Sequence, residues 1–347
     1  MPEDIETTLD IASLLGRIFD GETLDSDRAK DVMGLLMDGK LSQMQAAALL
    51  AALRTRGETV AEIIGFAEAM RERAIRVPVN VSGPLLDTCG TGGTGLDTLN
   101  ISTTASFIVA AAGVKVAKHG NRGVTRRSGA ADVLEALGAR LDQPPEQLAA
   151  SIEHTNLAFI FARNHHPAMR FVAPIRADLQ ARTIFNSLGP LTNPAGANRQ
   201  LLGVFDPSLT EMLARVLAGL GVERAMVVHG DGLDDVTVTA ETLVAELSHG
   251  TVASYRVTPE AVGLKRYPVD ELAGGDAVHN ARLLKDVLAG REGGARRDVV
   301  LFSAAAALHV ADKAPDLAEG VRLAAEIVDS GAALDKLDEY LRFTARS

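Results

Sequence analysis

Apolar and polar positions in the first 75 or so residues recur with the period of an amphipathic helix, and no run of β-branched residues interrupts them. Two of the predicted helices start with the sequence of a capping box, Ser42 with Gln45 and Thr59 with Glu62. Two further helices are predicted around residues 5–19 and 26–38. The amino-terminal part of the chain is therefore predicted to be a small helical bundle.

The pattern changes after residue 77, where Pro78, Gly83 and Pro84 indicate a linker. Short apolar runs such as "VKVAKHG", "LAFIFAR", "RQLLGVFD" and "RAMVVHGD" then predict strands, and segments such as "PPEQLAASIEHT" and "LTEMLARVLAGLG" predict helices between them. A later strand is predicted at "TVASYRV", helices around 281–290, 298–311 and 317–329, and a surface loop at 290–298. Alternating strands and helices predict an α/β domain with a mainly parallel sheet.

Composition is that of a globular protein, because 47% of the 347 residues are hydrophobic and 23% are charged. The formal net charge of −10 argues against a protein that coats nucleic acid, but it is compatible with local basic sites for a small anion. The single cysteine, Cys89, cannot form an intrachain disulfide and fits a reducing compartment. The start "MPEDIETTLD" lacks the apolar segment of a signal peptide, and "ASFIVAAAGV" is too short to span a bilayer. We therefore expect a cytoplasmic protein without a membrane partner.

Three loops at predicted strand ends are rich in glycine or polar residues. The stretch "DTCGTGGTGLDTLNIST", residues 87–103, combines glycines with hydroxyl side chains, "VAKHGNRG" follows the next strand, and "HGDGLDD" follows a later one. One glycine-rich loop is a weak indication of a ligand, since loops use glycine for conformational reasons. Because ligands of parallel sheets bind outside the carboxyl ends of the strands, the three loops together predict one shared site.

Three glycines of the first loop fit the G-x-G-x-x-G fingerprint of dinucleotide-binding proteins, but their context does not. The fingerprint requires an acidic residue at the end of the next strand, where this chain has Lys118 and His119. The sequence G-x-x-x-x-G-K-[ST] of the P-loop is also absent. Open backbone amides of a glycine loop before a helix N-terminus suit a phosphate. The alternative is that Asn100 or Ser102 only caps the helix.

Five segments resemble the anthranilate phosphoribosyltransferase family, and the resemblance covers nearly the whole chain in order. They are "GTGGTGLDTLNIST", "VAKHGNR", "SGAADVLEALG", "HPAMRFVAPIRADLQARTIFNSLGPLTNPA" and "GDGLDD". The family fold implied is a small helical domain hinged to a larger α/β domain, as in pyrimidine nucleoside phosphorylases. The resemblance implies a helical dimerisation domain at residues 1–76, joined by part of 167–195, and an α/β domain at 77–347 that binds the phosphorylated substrate.

The resemblance also implies an activity. Enzymes of this family transfer phosphoribose from 5-phosphoribosyl 1-diphosphate (PRPP) to anthranilate with loss of pyrophosphate, early in tryptophan biosynthesis. They use magnesium, expected here as two ions per monomer, and are generally homodimers. PRPP and anthranilate are thus the expected partners.

Residues of the first two loops are assigned to PRPP by this resemblance. They are Gly90, Gly93, Thr94, Thr98, Asn100, Ile101, Ser102, Thr103, Lys118, His119, Gly120, Asn121, Arg122, Gly123, Val124, Thr125, Arg126 and Ala130. Lys118 is expected to supply a point charge for a phosphate group. The alternative for Lys118 is a solvated lysine at a strand end.

The other substrate and the metal take further residues by resemblance. Asp234 and Asp235 are assigned to one magnesium ion and Ser102 to the other, and the alternative is an ordinary acidic turn. The residues assigned to anthranilate are Gly90, Asn121, Arg176, His119 and His166. Arg176 is expected to bind the carboxylate, and the histidines are expected to line the entry tunnel. The alternative for Arg176 is a structural arginine that forms a surface ion pair.

The chain departs from the family pattern at three of these positions. Thr94 stands where aspartate is usual, Ala130 where serine is usual, and Asp235 where glutamate is usual. Asp97 is a candidate to replace the charge that is missing at position 94. These departures are expected to affect PRPP and metal binding more than the type of reaction.

Two other functions stay open from the sequence. A nucleoside phosphorylase of the same fold would use phosphate and a pyrimidine nucleoside, but its signature differs from "KHGNR" and it has no use for the metal ligands of "GDGLDD". A nucleic-acid-binding relative would need a broad basic face, whereas Arg122, Arg126 and Arg127 form only a small cluster.

Overall fold

The computed structural model describes residues 10–123 and 127–346. The helices in this part of the chain are α1 (Ile11–Phe19), α2 (Ser26–Met37), α3 (Gln43–Arg56), α4 (Val60–Glu72), α5 (Ile101–Ala111), α6 (Ala130–Ala136), α7 (Pro145–Thr155), α8 (Ala162–His165), α9 (Ala173–Leu179), α10 (Phe185–Leu188), α11 (Leu209–Gly219), α12 (Ala277–Leu288), α13 (Gly294–Val310), α14 (Leu317–Asp329) and α15 (Ala332–Arg346). The strands are β1 (Leu85–Gly90), β2 (Lys115–Gly120), β3 (Leu157–Phe161), β4 (Arg199–Gly203), β5 (Arg224–Gly230), β6 (Thr242–Ser248) and β7 (Thr251–Val257). Among the described helices, none combines the length and apolar character that a membrane crossing requires.

The chain divides into two compact units. The helical unit contains the described residues up to Arg73 together with Pro167–Leu188, and the α/β unit contains Ala74–His166 and the chain from Gly189 onward. This combination confirms the fold class predicted from the sequence.

Side-chain caps fix the helix starts of the helical unit. The predicted capping box of α3 is confirmed, because Ser42 Oγ accepts from the Gln45 amide at 3.2 Å and Gln45 Oε1 accepts from the Ser42 amide at 3.0 Å. The capping box of α4 is confirmed in the same way by Thr59 and Glu62. The first described helix begins at Ile11, where the Asp10 carboxylate caps it. The predicted start near residue 5 lies outside the described residues.

The α/β unit is built on a sheet of order β3-β2-β1-β4-β5-β6-β7. Neighbouring strands from β3 to β5 are parallel, and β6 and β7 are antiparallel additions at one edge. The predicted mainly parallel sheet is thereby confirmed. Strand order reverses between β1 and β4, which places the topological switch point of the sheet beside the glycine-rich loop after β1.

Apolar side chains cover both faces of the parallel part of the sheet. Leu86, Val116 and Phe159 lie in a core with residues of α5 and α13, while Leu85 and Ile160 lie in a second core with residues of α7. Strands that are buried on both faces are typical of parallel sheets with helices on each side. This burial makes the carboxyl ends of β1, β2 and β5 rigid supports for the loops that follow them.

The predicted loop at residues 290–298 is wrong in its second half, because α13 begins at Gly294. Ion pairs hold the charged residues of its first turn: Arg296 with Glu292 at 3.2 Å and Arg297 with Asp329 at 2.8 Å. Strand β6 and helix α15 were not predicted from the sequence.

Candidate active site

The three loops that the sequence singled out lie at the carboxyl ends of three strands in the parallel part of the sheet. They leave β2 at Gly120, β1 at Gly90 and β5 at Gly230, with β4 between the last two strands. The structure therefore brings these three loops to the carboxyl ends of β2, β1 and β5, as the sequence predicted from their positions.

Glycines in and beside the first loop provide space for an acidic side chain. A Cβ atom at position 90 would lie 2.2 Å from Asp234 Oδ2, and one at position 203 would lie 1.7 Å from the Asp234 carbonyl oxygen. The Gly92 amide donates to Asp234 Oδ2 at 2.7 Å. Gly92, Gly93 and Gly95 all have positive φ, a conformation that side chains rarely tolerate. The loop after β1 is thus shaped around the carboxylate of the loop after β5.

The N-terminus of α5 is free of a side-chain cap. Asn100 occupies the N-cap position but makes no cap hydrogen bond within the described residues, and its Oδ1 instead accepts from Asn280 Nδ2 at 2.9 Å. The alternative that Asn100 only caps the helix is therefore wrong. An uncapped helix N-terminus next to a glycine loop presents backbone amides and the positive end of the helix dipole to an anion.

Lys118 is buried between the first two loops and is not a solvated strand-end lysine. It is 3% exposed, and its ammonium donates to the Thr88 carbonyl and to Ser102 Oγ, the latter at 3.2 Å. Burial lowers the pKa of Lys118, while the charges of nearby carboxylates, Asp87 first among them, favour its charged form. This is a buried cation near the carboxyl end of a strand, the end of a parallel sheet at which ligands generally bind.

Asp234 and Asp235 form a pair of adjacent carboxylates that are both more than nine-tenths buried. Burial, together with a smaller effect of the Asp234 charge, raises the pKa of Asp235 to about 7. Asp235 Oδ1 accepts from the Val236 amide at 2.9 Å. Two buried carboxylates with this excess of negative charge suit a divalent cation.

The donor set available to such a cation is incomplete without a ligand. Within the described residues, no group of three or more histidine, cysteine, aspartate or glutamate side chains could enclose a metal. Magnesium typically takes one or two protein carboxylates and completes its shell with substrate phosphates and water. Asp234 and Asp235 therefore fit a magnesium ion that binds together with a phosphorylated substrate.

His119 and His166 lie together in the α/β unit, with ring centroids 5.2 Å apart. Both are buried, and neither Nε2 atom has a hydrogen-bond partner among the described residues. Burial lowers the pKa of His119 well below its ordinary value and that of His166 to about 4. Both imidazoles are therefore neutral near pH 7 and can accept or donate a hydrogen bond without adding charge.

The loop after β2 is closed by an acid that the sequence analysis did not single out. Asp132 Oδ2 accepts from the Gly123 amide at 2.9 Å and from the Gly129 amide at 2.8 Å. Arg122 pairs with Asp132 at 2.9 Å and with Glu135 at 2.5 Å. Arg122 is thus held by carboxylates on α6. Val124, Thr125 and Arg126 lie outside the described residues.

Asp87 is a second residue that sequence reasoning missed. It is fully buried in β1, its Oδ1 accepts from the His119 amide at 3.0 Å, and burial raises its pKa to about 6. An acid inside the apolar strand "PLLDTCG" was the available signal, because charged residues are almost never fully buried without a partner.

The residues at which the chain departs from the family pattern lie in these loops. Thr94 Oγ1 accepts a long bond of 3.5 Å from the Leu96 amide, and Ala130 is the first residue of α6. Asp97 Oδ1 accepts from the Arg127 amide at 2.9 Å and connects the first loop to the second. A role of Asp97 in place of the usual aspartate at position 94 stays a prediction.

Arg176 lies in α9 of the helical unit. Its guanidinium is 5.8 Å from the centre of the Phe185 ring, and burial lowers its pKa. None of the described carboxylates lies within ion-pair distance of Arg176, so the surface ion pair of the structural alternative is not found in that part of the chain.

Comparison with known proteins places the chain in one family. A family model described as "Glycosyl transferase family, a/b domain" matches residues 82–334, and "Glycosyl transferase family, helical bundle domain" matches residues 12–74. An anthranilate phosphoribosyltransferase of Rubrobacter xylanophilus is 54% identical over 94% of this chain and 95% of its own length. An anthranilate phosphoribosyltransferase from Symbiobacterium thermophilum is 53% identical over 96% of this chain and 98% of its own length.

Solved structures agree with these relatives. Anthranilate phosphoribosyltransferase from Thermus thermophilus superposes with a TM-score of 0.91 at 47% identity, over 95% of this chain and 99% of that chain. The enzyme from Saccharomyces cerevisiae in complex with PRPP and Mg superposes with a TM-score of 0.88 at 26% identity, over 99% of both chains. The yeast enzyme has also been solved in complex with 4-fluoroanthranilate, with a TM-score of 0.86 at 25% identity, over 97% of this chain and 99% of that chain.

Proposed function

The chain belongs to the anthranilate phosphoribosyltransferase family, and on that premise we propose which of its residues carry out the reaction. The protein is an enzyme that transfers the phosphoribosyl group of PRPP to anthranilate in tryptophan biosynthesis. The observation that carries the assignment is the meeting of the three loops at the switch point of the sheet, with a buried lysine and two buried carboxylates among them.

We propose that PRPP binds across the loops after β1 and β2. The glycine loop and the uncapped N-terminus of α5 offer backbone amides to its phosphates, and Lys118 supplies a buried positive charge. The residues assigned to PRPP are those given above for the family. Arg122 joins them in this proposal by leaving Glu135 and Asp132, because a phosphate carries more charge than either carboxylate.

We propose that magnesium binds with PRPP, as two ions per monomer. Asp234 and Asp235 would hold one ion, and Ser102 would contribute to the other. The solved yeast complex contains PRPP and Mg, and the buried carboxylate pair described above fits such an ion. When bound, magnesium would neutralise the charge of the pyrophosphate leaving group.

We propose that anthranilate binds beside the ribose through Gly90, Asn121, His119, His166 and Arg176. The two imidazoles are neutral near pH 7, so they can line a path for an aromatic acid without trapping its carboxylate as a charged pair. Arg176 supplies the planar cation that a carboxylate binds in two parallel hydrogen bonds.

The reaction needs no nucleophile from the protein, since the amine nitrogen of anthranilate attacks C1 of the ribose, the bond from C1 to pyrophosphate breaks, and the nitrogen releases one proton. The protein holds the two substrates in line and stabilises the leaving group with fixed positive charge. The proposed transition state is oxocarbenium-like, and the reaction inverts the configuration at C1.

Purified protein mixed with PRPP, Mg²⁺ and anthranilate is expected to remove anthranilate fluorescence, with each component required. The two alternative functions are tested in parallel. Nucleoside phosphorolysis is assayed with phosphate plus a pyrimidine nucleoside, and nucleic-acid binding is assayed by gel-shift at moderate salt. Phosphorolysis or nucleic-acid binding without loss of anthranilate would overturn the assignment.

We propose a homodimer formed through the helical unit. Phe19 in α1 is 60% exposed and Met44 in α3 is 83% exposed, and large apolar side chains left in water favour association. Light scattering at micromolar concentration is expected to give twice the chain mass of 36.5 kDa.

The combined variant Phe19→Asp, Met44→Asp is expected to be monomeric in the same measurement. Val278→Asp is the matched control, because Val278 is 74% exposed in the α/β unit. A monomeric parent protein, or a variant that still dimerises, would contradict this interface.

A cytoplasmic location stays part of the proposal and rests on the single, buried thiol of Cys89.

A further inference from the structure

Asn280 lies in the first turn of α12 and is the centre of a buried hydrogen-bond network. It is 2% exposed. Its Nδ2 atom is 2.9 Å from Asn100 Oδ1, 3.0 Å from Ser128 Oγ and 3.2 Å from the Thr98 carbonyl oxygen. Its Oδ1 atom accepts from the Gly275 amide at 2.8 Å. One side chain therefore contacts the loop after β1, the loop after β2 and the segment that precedes its own helix.

The orientation of the Asn280 carboxamide follows from its surroundings. The Gly275 amide can only donate, so the atom that faces it must be the oxygen. The nitrogen then faces acceptors on both loops. A buried carboxamide with partners on each side is a rigid connection, because losing any partner would leave a polar group unpaired.

Backbone contacts hold the same segment against the first loop. The Gly274 amide donates to the Asp97 carbonyl at 2.9 Å, and the Leu99 amide donates to the Leu272 carbonyl at 3.3 Å. A Cβ atom at position 274 would lie 2.4 Å from the Thr98 carbonyl oxygen. Close approach of the two backbones thus depends on glycine at 274 and brings Asn280 within reach of the loop.

The contact between Asn280 and Asn100 affects how the N-terminus of α5 is capped. An asparagine at the N-cap position normally accepts a hydrogen bond from an amide of its own helix. Here the Asn100 oxygen accepts from Asn280 instead, and α5 has no side-chain cap among the described residues. Asn280 thereby withdraws the group that would compete with an anion for the amides of α5.

We propose that Asn280 is a positioning residue for PRPP, which holds the two phosphate-binding loops in register and keeps the N-terminus of α5 open. The inference rests on the proposed function, since it assumes that PRPP binds at these loops. Asn280 acts through Asn100 and Ser128 and does not itself contact the substrate in this proposal. A merely structural asparagine would affect stability and leave the affinity for PRPP unchanged.

Asn280→Ala is expected to raise the KM for PRPP about tenfold and to change the KM for anthranilate less than about twofold. Asn198→Ala is the matched control. Asn198 also joins distant segments, with Oδ1 2.8 Å from the Leu85 amide and Nδ2 3.2 Å from Glu223, but it lies at the amino ends of the strands. Asn198→Ala should lower the melting temperature and leave both KM values in place. Calorimetric titration of PRPP without anthranilate reads the same effect as an affinity.

An unchanged KM for PRPP in Asn280→Ala, with a melting temperature lowered as in Asn198→Ala, would overturn the inference. If Asn280→Ala does not fold, Ser128→Ala tests the same link, and an increase of about threefold in the KM for PRPP is expected. No change in that variant would equally overturn it. An inactive parent protein would instead reject the proposed function, so the two failures are distinguishable.

Discussion

Replacing Asp234 and Asp235 together by asparagine is expected to lower kcat/KM by about a thousandfold. The two carboxylates are proposed to hold a magnesium ion, and a cation that stabilises the leaving pyrophosphate typically contributes several kcal/mol. The loss should appear as a much higher requirement for Mg²⁺ in the fluorescence assay. Chelation of the metal from the parent protein should have the same effect, and Mg²⁺ should restore its activity.

The double variant is expected to lose activity without losing folding stability. Burial raises the pKa of Asp235 from 3.8 to about 7, so the folded protein retains a proton that the unfolded chain releases between these values. Ionisation above pH 7 therefore costs folding free energy, and a neutral amide removes that cost. In the presence of chelator at pH 8, the melting temperature of the double variant is not expected to fall below that of the parent. Below about pH 4 the difference should vanish, since the carboxyl is then protonated in both states.

Asp231→Asn is the matched control for this experiment. Asp231 lies in the same loop but is exposed, and its positive φ of 48° suits asparagine. Its activity and Mg²⁺ requirement should match those of the parent. Full activity of the double variant at low Mg²⁺ would contradict the assignment of these carboxylates. A large loss in Asp231→Asn would show that the loop tolerates no change of charge.

The position of the site could be predicted from the sequence because its signals are local. Each of the three loops follows an apolar strand directly, and parallel strands bring their carboxyl ends to one edge. Lys118 lies near the carboxyl end of β2, and the carboxylates of "GDGLDD" lie in the loop after β5, at strand ends that the sequence pattern predicted. Their contacts with Ser102 and Gly92 depend on side-chain geometry, which spacing does not determine.

Strand β6 was missed because a charged residue interrupts its apolar pattern. Glu246 lies in the middle of "TLVAELS", where it accepts from Tyr255 at 2.8 Å and lies 3.2 Å from His309. Tyr255 is on β7 and His309 on α13, so the partners that make this charge acceptable come from other elements. A local pattern contains no information about such partners.

The supporting residues of the site were missed for the same reason. Asn280 is 180 positions from Asn100, and Asp87 is 32 positions from the amide that it binds at His119. Neither spacing matches a helix or a turn, so neither contact follows from a local pattern. Such contacts become visible only when the fold brings the segments together.

Arg176→Ala is expected to raise the KM for anthranilate by about ten- to a hundredfold, since a charge-assisted hydrogen bond contributes about 1.5–3 kcal/mol. The guanidinium of Arg176 has no carboxylate partner among the described residues, and burial lowers its pKa. A partly buried cation without an acid is costly unless a ligand supplies the negative charge. We therefore expect the KM for PRPP to change little, because its phosphates are assigned to other residues.

Arg176→Lys separates charge from geometry, and Arg170→Ala is the matched control. An ammonium lacks the planar fork that binds a carboxylate through two hydrogen bonds, so Arg176→Lys should recover only part of the loss. Arg170 lies in the same unit and its guanidinium is 4.7 Å from the centre of the Phe171 ring, as that of Arg176 lies near Phe185. Removing Arg170 should leave the KM for anthranilate unchanged. If Arg176→Ala lowers the melting temperature with both KM values unchanged, Arg176 is structural and does not bind anthranilate.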